Sequence, residues 1–225
     1  PNGLVVGAYL ARAGLKVLLL EKRFELGGGL GTETVTIPGF LHNTEAVYHM
    51  MVNYAPVFSD LRLEEDYGLR WVHPSLQVAM PFADGHAICL HTDIDKSCQS
   101  IAKFSERDAE AYRAICQRYQ GYVDDFLAPA MYHEALSPEE QKAKLQSSEL
   151  GRELSELSER TPREIVDGIF ENERVRTLFL YLACMWGLDC DVKGMGHLVP
   201  FYINRATNYQ LPIGGSYPVS YTHLT

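Results

Sequence analysis

The chain opens Pro1-Asn2-Gly3-Leu4-Val5-Val6-Gly7-Ala8-Tyr9-Leu10-Ala11-Arg12-Ala13-Gly14-Leu15-Lys16-Val17-Leu18-Leu19-Leu20-Glu21, and this stretch decides how its first part folds. Leu4, Ala8 and Ala11 recur at spacings of four and three, which is one face of a helix over residues 3–13. Gly7 lets that helix be packed closely, and Gly14 stops it in the usual C-terminal manner. Residues 16–20 are a short apolar run, the pattern of a strand buried on both faces of a parallel sheet. Glu21 ends the run. Helix, glycine, buried strand and terminal acid make up the second part of a dinucleotide-binding βαβ unit. Gly3 then occupies the third glycine position of G-x-G-x-x-G. The first strand and the first two glycines would lie upstream, so the unit is expected to be incomplete here.

The chemistry of these positions follows. Glu21 stands 18 residues after Gly3, where a carboxylate accepts hydrogen bonds from the two adenosine ribose hydroxyls. It would repel a 2′-phosphate, which favours FAD or NAD over NADP. Asn2 and Gly3, at the helix start, would turn free N–H groups and the positive dipole end toward a pyrophosphate. Glu21-Lys22-Arg23-Phe24-Glu25-Leu26-Gly27-Gly28-Gly29-Leu30-Gly31-Thr32 follows directly. Consecutive glycines let backbone N–H groups approach an anion with no Cβ in the way.

A glycine doublet six residues after the acid resembles the second flavin motif of the glutathione-reductase-type FAD proteins. Amine oxidases of that group carry Arg straight after the doublet, where this chain has Gly29. Thr32-Glu33 and Ile37-Pro38-Gly39-Phe40 resemble the phytoene-desaturase-like branch, most of all the pyridine nucleotide-disulfide oxidoreductase domain-containing protein 2 subgroup. Asp66-Tyr67-Gly68-Leu69, Pro81-Phe82-Ala83-Asp84-Gly85 and Phe104-Ser105-Glu106-Arg107-Asp108-Ala109 with Tyr112 match its further motifs, and a thinner match reaches Gly214-Gly215-Ser216. The resemblance implies an α/β protein. A glutathione-reductase-type FAD-binding Rossmann-like domain, incomplete here, would join an α+β substrate domain with a helical excursion. It implies FAD as cofactor, contacted by Asn2, Gly3, Glu21, Lys22, Gly27, Gly28, Gly29 and Thr32. The implied domains are residues 1–65 for FAD, 66–216 for substrate, and a non-native tail, 217–225. The implied activity moves a hydride between an apolar, isoprenoid-type substrate and flavin. The 225 residues alone are expected to be inactive. Two alternatives are a prenyl or lipid carrier of the GDP-dissociation-inhibitor type and a flavin amine oxidase. The intact Glu21 and glycine doublet argue against the first, and Gly29 against the second.

The remaining residues make sense without the family. Apolar runs at 76–82 and 86–91 flank Ala83-Asp84-Gly85 and predict a β-hairpin. Asp93 is placed to cap a helix from Ile94. Ser105 caps the next, with Asp108 as a capping-box variant, running to about Phe126. Ala111, Ile115, Tyr119 and Tyr122 share its buried face. Ser137-Pro138-Glu139-Glu140 and Thr161-Pro162-Arg163-Glu164 are helix starts, and residues 139–160 read as an exposed helical excursion rather than a site. A last helix spans about 173–186, and the apolar stretch 178–188 is too short to cross a bilayer.

Lys and Arg number 20 against 29 Asp and Glu, leaving −9, which disfavours nucleic-acid binding. Peripheral membrane contact suits an apolar substrate, although no basic amphipathic helix supports it. Five cysteines with no CxxC pair argue against a disulfide framework or structural zinc and fit a reducing compartment, cytoplasmic or mitochondrial. No metal spacing or hydrolase triad is visible. His42, Glu45, His49 and His73 are titratable candidates, read as structural, and no catalytic residue is assigned.

Overall fold

The computed structural model describes residues 1–23, 26–132, 134–205 and 208–217. Phe24, Glu25 and the tail from residue 218 lie outside them. The chain divides into two compact units, Pro1–Pro74 with Tyr209–Thr225, and Ser75–Asn208. The expected boundary at residue 65/66 therefore lies within the first unit. Residues 66–74 belong there because β3 (Trp71–Val72) pairs antiparallel with β6 (Leu211–Pro212).

In the first unit, α1 (Asn2–Arg12) forms over nearly the expected residues, with Leu4 and Gly7 buried, Ala8 half-buried and Ala11 exposed. Gly14 ends it at φ +84°. Gly7 receives the Leu19 side chain, since a Cβ there would lie 3.0 Å from Leu19 Cδ1. Residues 16–20 depart from expectation. They form no strand among the described residues, and Leu18 and Leu20 are 79% and 87% exposed. The physical reason is that a doubly buried strand exists only when neighbouring strands take its backbone groups and helices cover its faces. No described strand runs beside this segment. The strands that do form are short: β1 (Thr32–Glu33) pairs antiparallel with β2 (His42–Asn43). α2 (Pro56–Asp60) is tied to α1, with Tyr9 Oη donating to Asp60 Oδ2 at 2.6 Å and Arg12 to the Asp60 carbonyl. Leu30, Leu63 and Leu69 form this unit's small core.

The second unit is built on the expected hairpin, β4 (Leu76–Pro81) and β5 (Ala87–His91). Its turn closes through Gly85 N donating to the Phe82 carbonyl at 3.0 Å, with Gly85 at φ +83°. α3 (Ile94–Ala102) starts at Asp93, whose Oδ1 accepts from Asp95 N and Lys96 N at 2.9 and 3.2 Å. Two buried serines of α3 satisfy the open edge of β5: Ser97 Oγ accepts from His91 N and Ser100 Oγ from Cys89 N, both at 2.8 Å. α4 (Glu106–Arg118) is capped by Ser105. Asp108 does not complete the reciprocal box. Its buried carboxylate accepts from Glu171 N at 2.8 Å and Asn172 N at 2.9 Å, joining α4 to the start of a later helix.

After α4 comes one turn of π-helix, Val123–Leu127, and then α5 (Ala128–Tyr132). The helix expected to run unbroken to Phe126 is thus interrupted beyond Arg118. α6 (Pro138–Gln146) and α8 (Pro162–Ile169) both carry capping boxes, from Ser137 and Thr161. Between them lies α7 (Glu149–Ser158). α9 (Glu173–Met185) and α10 (Val199–Arg205) complete the unit. Ile88, Leu90, Ile101, Tyr112, Phe170 and Phe179 lie at the centre of its core, with the Phe170 and Phe179 rings stacked 4.6 Å apart. Arg174 pairs with Asp84 at 2.5 Å and lays its guanidinium over Phe82 at 4.8 Å, fastening the hairpin tip to α9.

Candidate functional site

In the first unit the glycine turn at Gly27 and Gly28 lies beside the start of α1. The N-cap is Pro1, and no side chain caps the helix, so its first N–H groups have no intrahelical or side-chain partner. A Cβ on Gly3 would meet nothing within 4 Å, so this end of the helix is open. Gly27 and Gly28 follow at φ +112° and +56°, conformations that favour glycine. Their turn closes with Leu30 N donating to the Gly27 carbonyl at 3.2 Å. A Cβ on Gly28 would sit 3.5 Å from Pro1 Cδ, so the turn lies beside the start of α1. Glu21 is exposed, and its Oε1 accepts from Arg23 N at 2.9 Å. Hydrogen bonds from the backbone N–H groups of Arg23 and Lys22 hold its carboxyl below the usual range, so it is a carboxylate at neutral pH. A carboxylate has acceptor capacity beyond these bonds. The open helix start, the glycine turn beside it and an ionised exposed acid suit a dinucleotide.

Gly29 and Thr32 are placed differently. The Gly29 carbonyl accepts from Ala46 N at 3.0 Å, and a Cβ there would approach Glu45 Oε2 to 3.3 Å. The Thr32 hydroxyl donates to Asn43 Oδ1 at 3.0 Å and accepts from Tyr217 N at 2.9 Å. It belongs to a clasp in which Gly214-Gly215-Ser216 docks on the β1–β2 pair. Ser216 N donates to Asn43 Oδ1, and Ser216 Oγ to the Ala46 carbonyl, both at 2.7 Å. His49 Nε2 lies 3.1 Å from Ser216 Oγ. The hydroxyl's single proton is spent on Ala46, so Nε2–H is the donor. Burial lowers the His49 pKa, which keeps the ring neutral in this role. Of the other candidates, His42 Nε2 is 2.7 Å from Thr36 Oγ1. Sequence reasoning noted Gly214-Gly215-Ser216 but not its docking place. Only the fold shows that Gly215 passes so close to Thr32 that a Cβ would come within 2.3 Å.

The second unit holds an apolar cavity of about 370 Å³. Tyr122, Phe126 and Leu127 of the π-helical region line it with Leu136, Leu145 and Leu154. Tyr122 is 2% exposed, and burial together with nearby Tyr202 raises its pKa. His197 also borders the cavity. Its Nδ1 meets Ser158 Oγ at 3.1 Å, and burial lowers its pKa against a hydrogen bond with the Gly194 backbone. The charged stretch 139–160, expected to be no site, contributes Leu145 and Leu154 to this wall. Both are helix-face leucines that charge counting hides. Among the described residues no group of His, Cys, Asp and Glu could hold a metal, and no helix is long and apolar enough to cross a membrane.

Residues 1–63 match the NAD(P)-binding Rossmann-like domain. A limonene dehydrogenase subunit of Castellaniella defragrans is 42% identical over 222 residues, covering 98% of this chain and 40% of that protein. Pyridine nucleotide-disulfide oxidoreductase domain-containing protein 2 of Rattus norvegicus is 32% identical over 130 residues, 54% of this chain and 21% of that protein. Thiamine thiazole synthase of Pyrobaculum arsenaticum matches over 47 residues at 43%, covering 21% of this chain and 18% of that protein. The chain thus spans less than half the length of these relatives. It carries an NAD(P)-binding Rossmann-like domain sequence and is a homologue of proteins named as a dehydrogenase subunit and an oxidoreductase.

Proposed function

We propose that the complete protein is an FAD-dependent dehydrogenase acting on an apolar substrate. The observation that carries this reading is 42% identity to a limonene dehydrogenase subunit across both units of the chain. Glu21 would accept the ribose hydroxyls of the adenosine. Its negative charge is set against a 2′-phosphate. Asn2 and Gly3 would offer N–H groups to the pyrophosphate, and the turn at Gly27 and Gly28 would bring backbone alongside it. Lys22 and Gly29 adjoin Glu21 and Gly28 in sequence and would border these contacts. Thr32 would act through the clasp that fixes β1. Bound FAD supplies the acceptor for a hydride from a substrate C–H bond. The chain's own task is to bind, orient and exclude water. The cavity beside Tyr122 suits a largely apolar molecule, because leucines, alanines and aromatic rings form most of its wall, with Glu134, Gln141, Lys144, Ser158 and His197 as its polar points.

The test is the visible absorption spectrum of the complete protein. Flavin bands, with FAD released on denaturation, support the reading. A colourless protein that also refuses added FAD overturns it, and tight prenyl-ligand binding by such a protein would point to the carrier alternative.

A further inference from the structure

The end of α9 carries a feature that the proposed redox site does not use. Cys184 Sγ and Cys190 Sγ lie 3.5 Å apart, both as free thiols. Local structure brings them together. α9 ends at Gly187, φ +77°, with Gly187 N donating to the Cys184 carbonyl at 2.9 Å and Leu188 N to the Ala183 carbonyl at 3.2 Å. This pair of bonds is a Schellman turn, which folds the chain back along the helix. Cys190 is then held from three sides. Its thiol faces the Leu180 carbonyl at 3.7 Å, its own carbonyl accepts from Arg163 N at 3.0 Å, and Arg163 pairs with neighbouring Asp191 at 2.6 Å. Cys184 stands exposed on the last turn of α9, and Cys190 is buried beneath it. Both line an open depression beside Arg163 and Tyr181.

We propose that Cys184 and Cys190 form a reversible disulfide, with exposed Cys184 the thiol that attacks an oxidant arriving from solvent and Cys190 the resolving thiol. The sulfurs need to close by about 1.5 Å to reach bonding distance, and exposed Cys184 is free to turn toward a fixed Cys190. A low-molecular-weight disulfide such as glutathione disulfide is the oxidant. The Cys184 thiolate attacks one of its sulfurs; that S–S bond breaks, one glutathione leaves, and Cys184 carries the other. The Cys190 thiolate then attacks Cys184 Sγ and expels the second glutathione. The two protein thiols lose two electrons and two protons, and glutathione disulfide becomes two glutathione thiols. Burial first, and then the Cys184 contact, raise the Cys190 thiol pKa, in keeping with exposed Cys184 as the thiol that meets the oxidant first. The other three cysteines serve as internal controls, with Cys98 and Cys116 buried in the core of the unit.

Trypsin cuts after Arg176 and Lys193, so residues 177–193 form one peptide holding both cysteines and no other. The complete folded protein is equilibrated with glutathione disulfide, quenched in acid, denatured, alkylated and digested. The expected result is a 177–193 peptide lighter by two hydrogens and bearing no alkyl group. Prior dithiothreitol should restore two alkyl groups. In Cys190→Ser the glutathione adduct should persist on Cys184. Two alkyl groups on this peptide after oxidation, a stable adduct on Cys184 in the unaltered protein, or a crosslink to another cysteine would each overturn the proposal.

Discussion

Among the described residues the Glu21 carboxylate hydrogen-bonds only the backbone that follows it, and its side chain is exposed. Glu21→Gln should therefore leave the melting temperature unchanged while weakening FAD binding on the order of tenfold or more, read by flavin fluorescence titration. Two glycines separate a binding effect from a folding effect. Gly3 has open space where a Cβ would go, so Gly3→Ala should fold normally and lose cofactor. At Gly215, φ +98°, a Cβ would meet Thr32 Cγ2 at 2.3 Å. Gly215→Ala should cost about 1–3 kcal/mol in chemical denaturation, because the strained backbone and the overlap with Thr32 act together. His49 and His197 give a pH signature. Burial lowers both pKa values, so the neutral rings belong to the folded state. Their contribution is complete above the unfolded histidine pKa of about 6.5 and is lost as pH falls from there through the lowered folded values. Thermal melts between pH 7.5 and 5 should show this fall, and His49→Gln should flatten part of it. Glu140 and Glu164, lowered by their capping bonds, act in a separate window below the usual carboxylate pKa.

Two helices share one capping motif but differ in what they bury. α8 turns Ile165 and Val166 into the core, whereas α6 buries none of its residues. Thr161→Ala should lower global stability by about 1 kcal/mol. Ser137→Ala should leave the global melt unchanged and speed amide exchange within α6 only, because fraying that helix exposes no core. Asp108 shows how a side chain can serve a neighbouring element. It lies on α4, yet it supplies acceptors to the two N–H groups ahead of α9. Asp108→Ala should cost about 2–4 kcal/mol in urea unfolding, since both donors lose their partner inside the protein.

The two units differ in what they bury. The second has an extended core from Ile88 to Ile203, whereas the first rests on Leu30, Leu63 and Leu69 and leaves Val17, Leu18, Leu19 and Leu20 exposed. Hydrogen exchange on the 225-residue chain should therefore show the slowest amides in β5, α4 and α9, with residues 16–20 exchanging far faster. Equal protection of residues 16–20 and α9 would contradict this account.

Local signals in the sequence determined the capped helix starts at Asp93, Ser105, Ser137 and Thr161, the Gly85 hairpin and the core tyrosines, because each depends on residues a few positions apart. The same holds for the glycines and acid of the candidate nucleotide site, whose spacing is itself the motif. Tertiary structure decided the rest. It set whether 16–20 becomes a strand, since a strand needs partners that its own residues cannot supply. It brought Gly215 onto Thr32 and Asp108 onto the start of α9, across separations that periodicity does not see. It also turned leucines of a charged excursion into a cavity wall and placed two cysteines six positions apart within reach of one another.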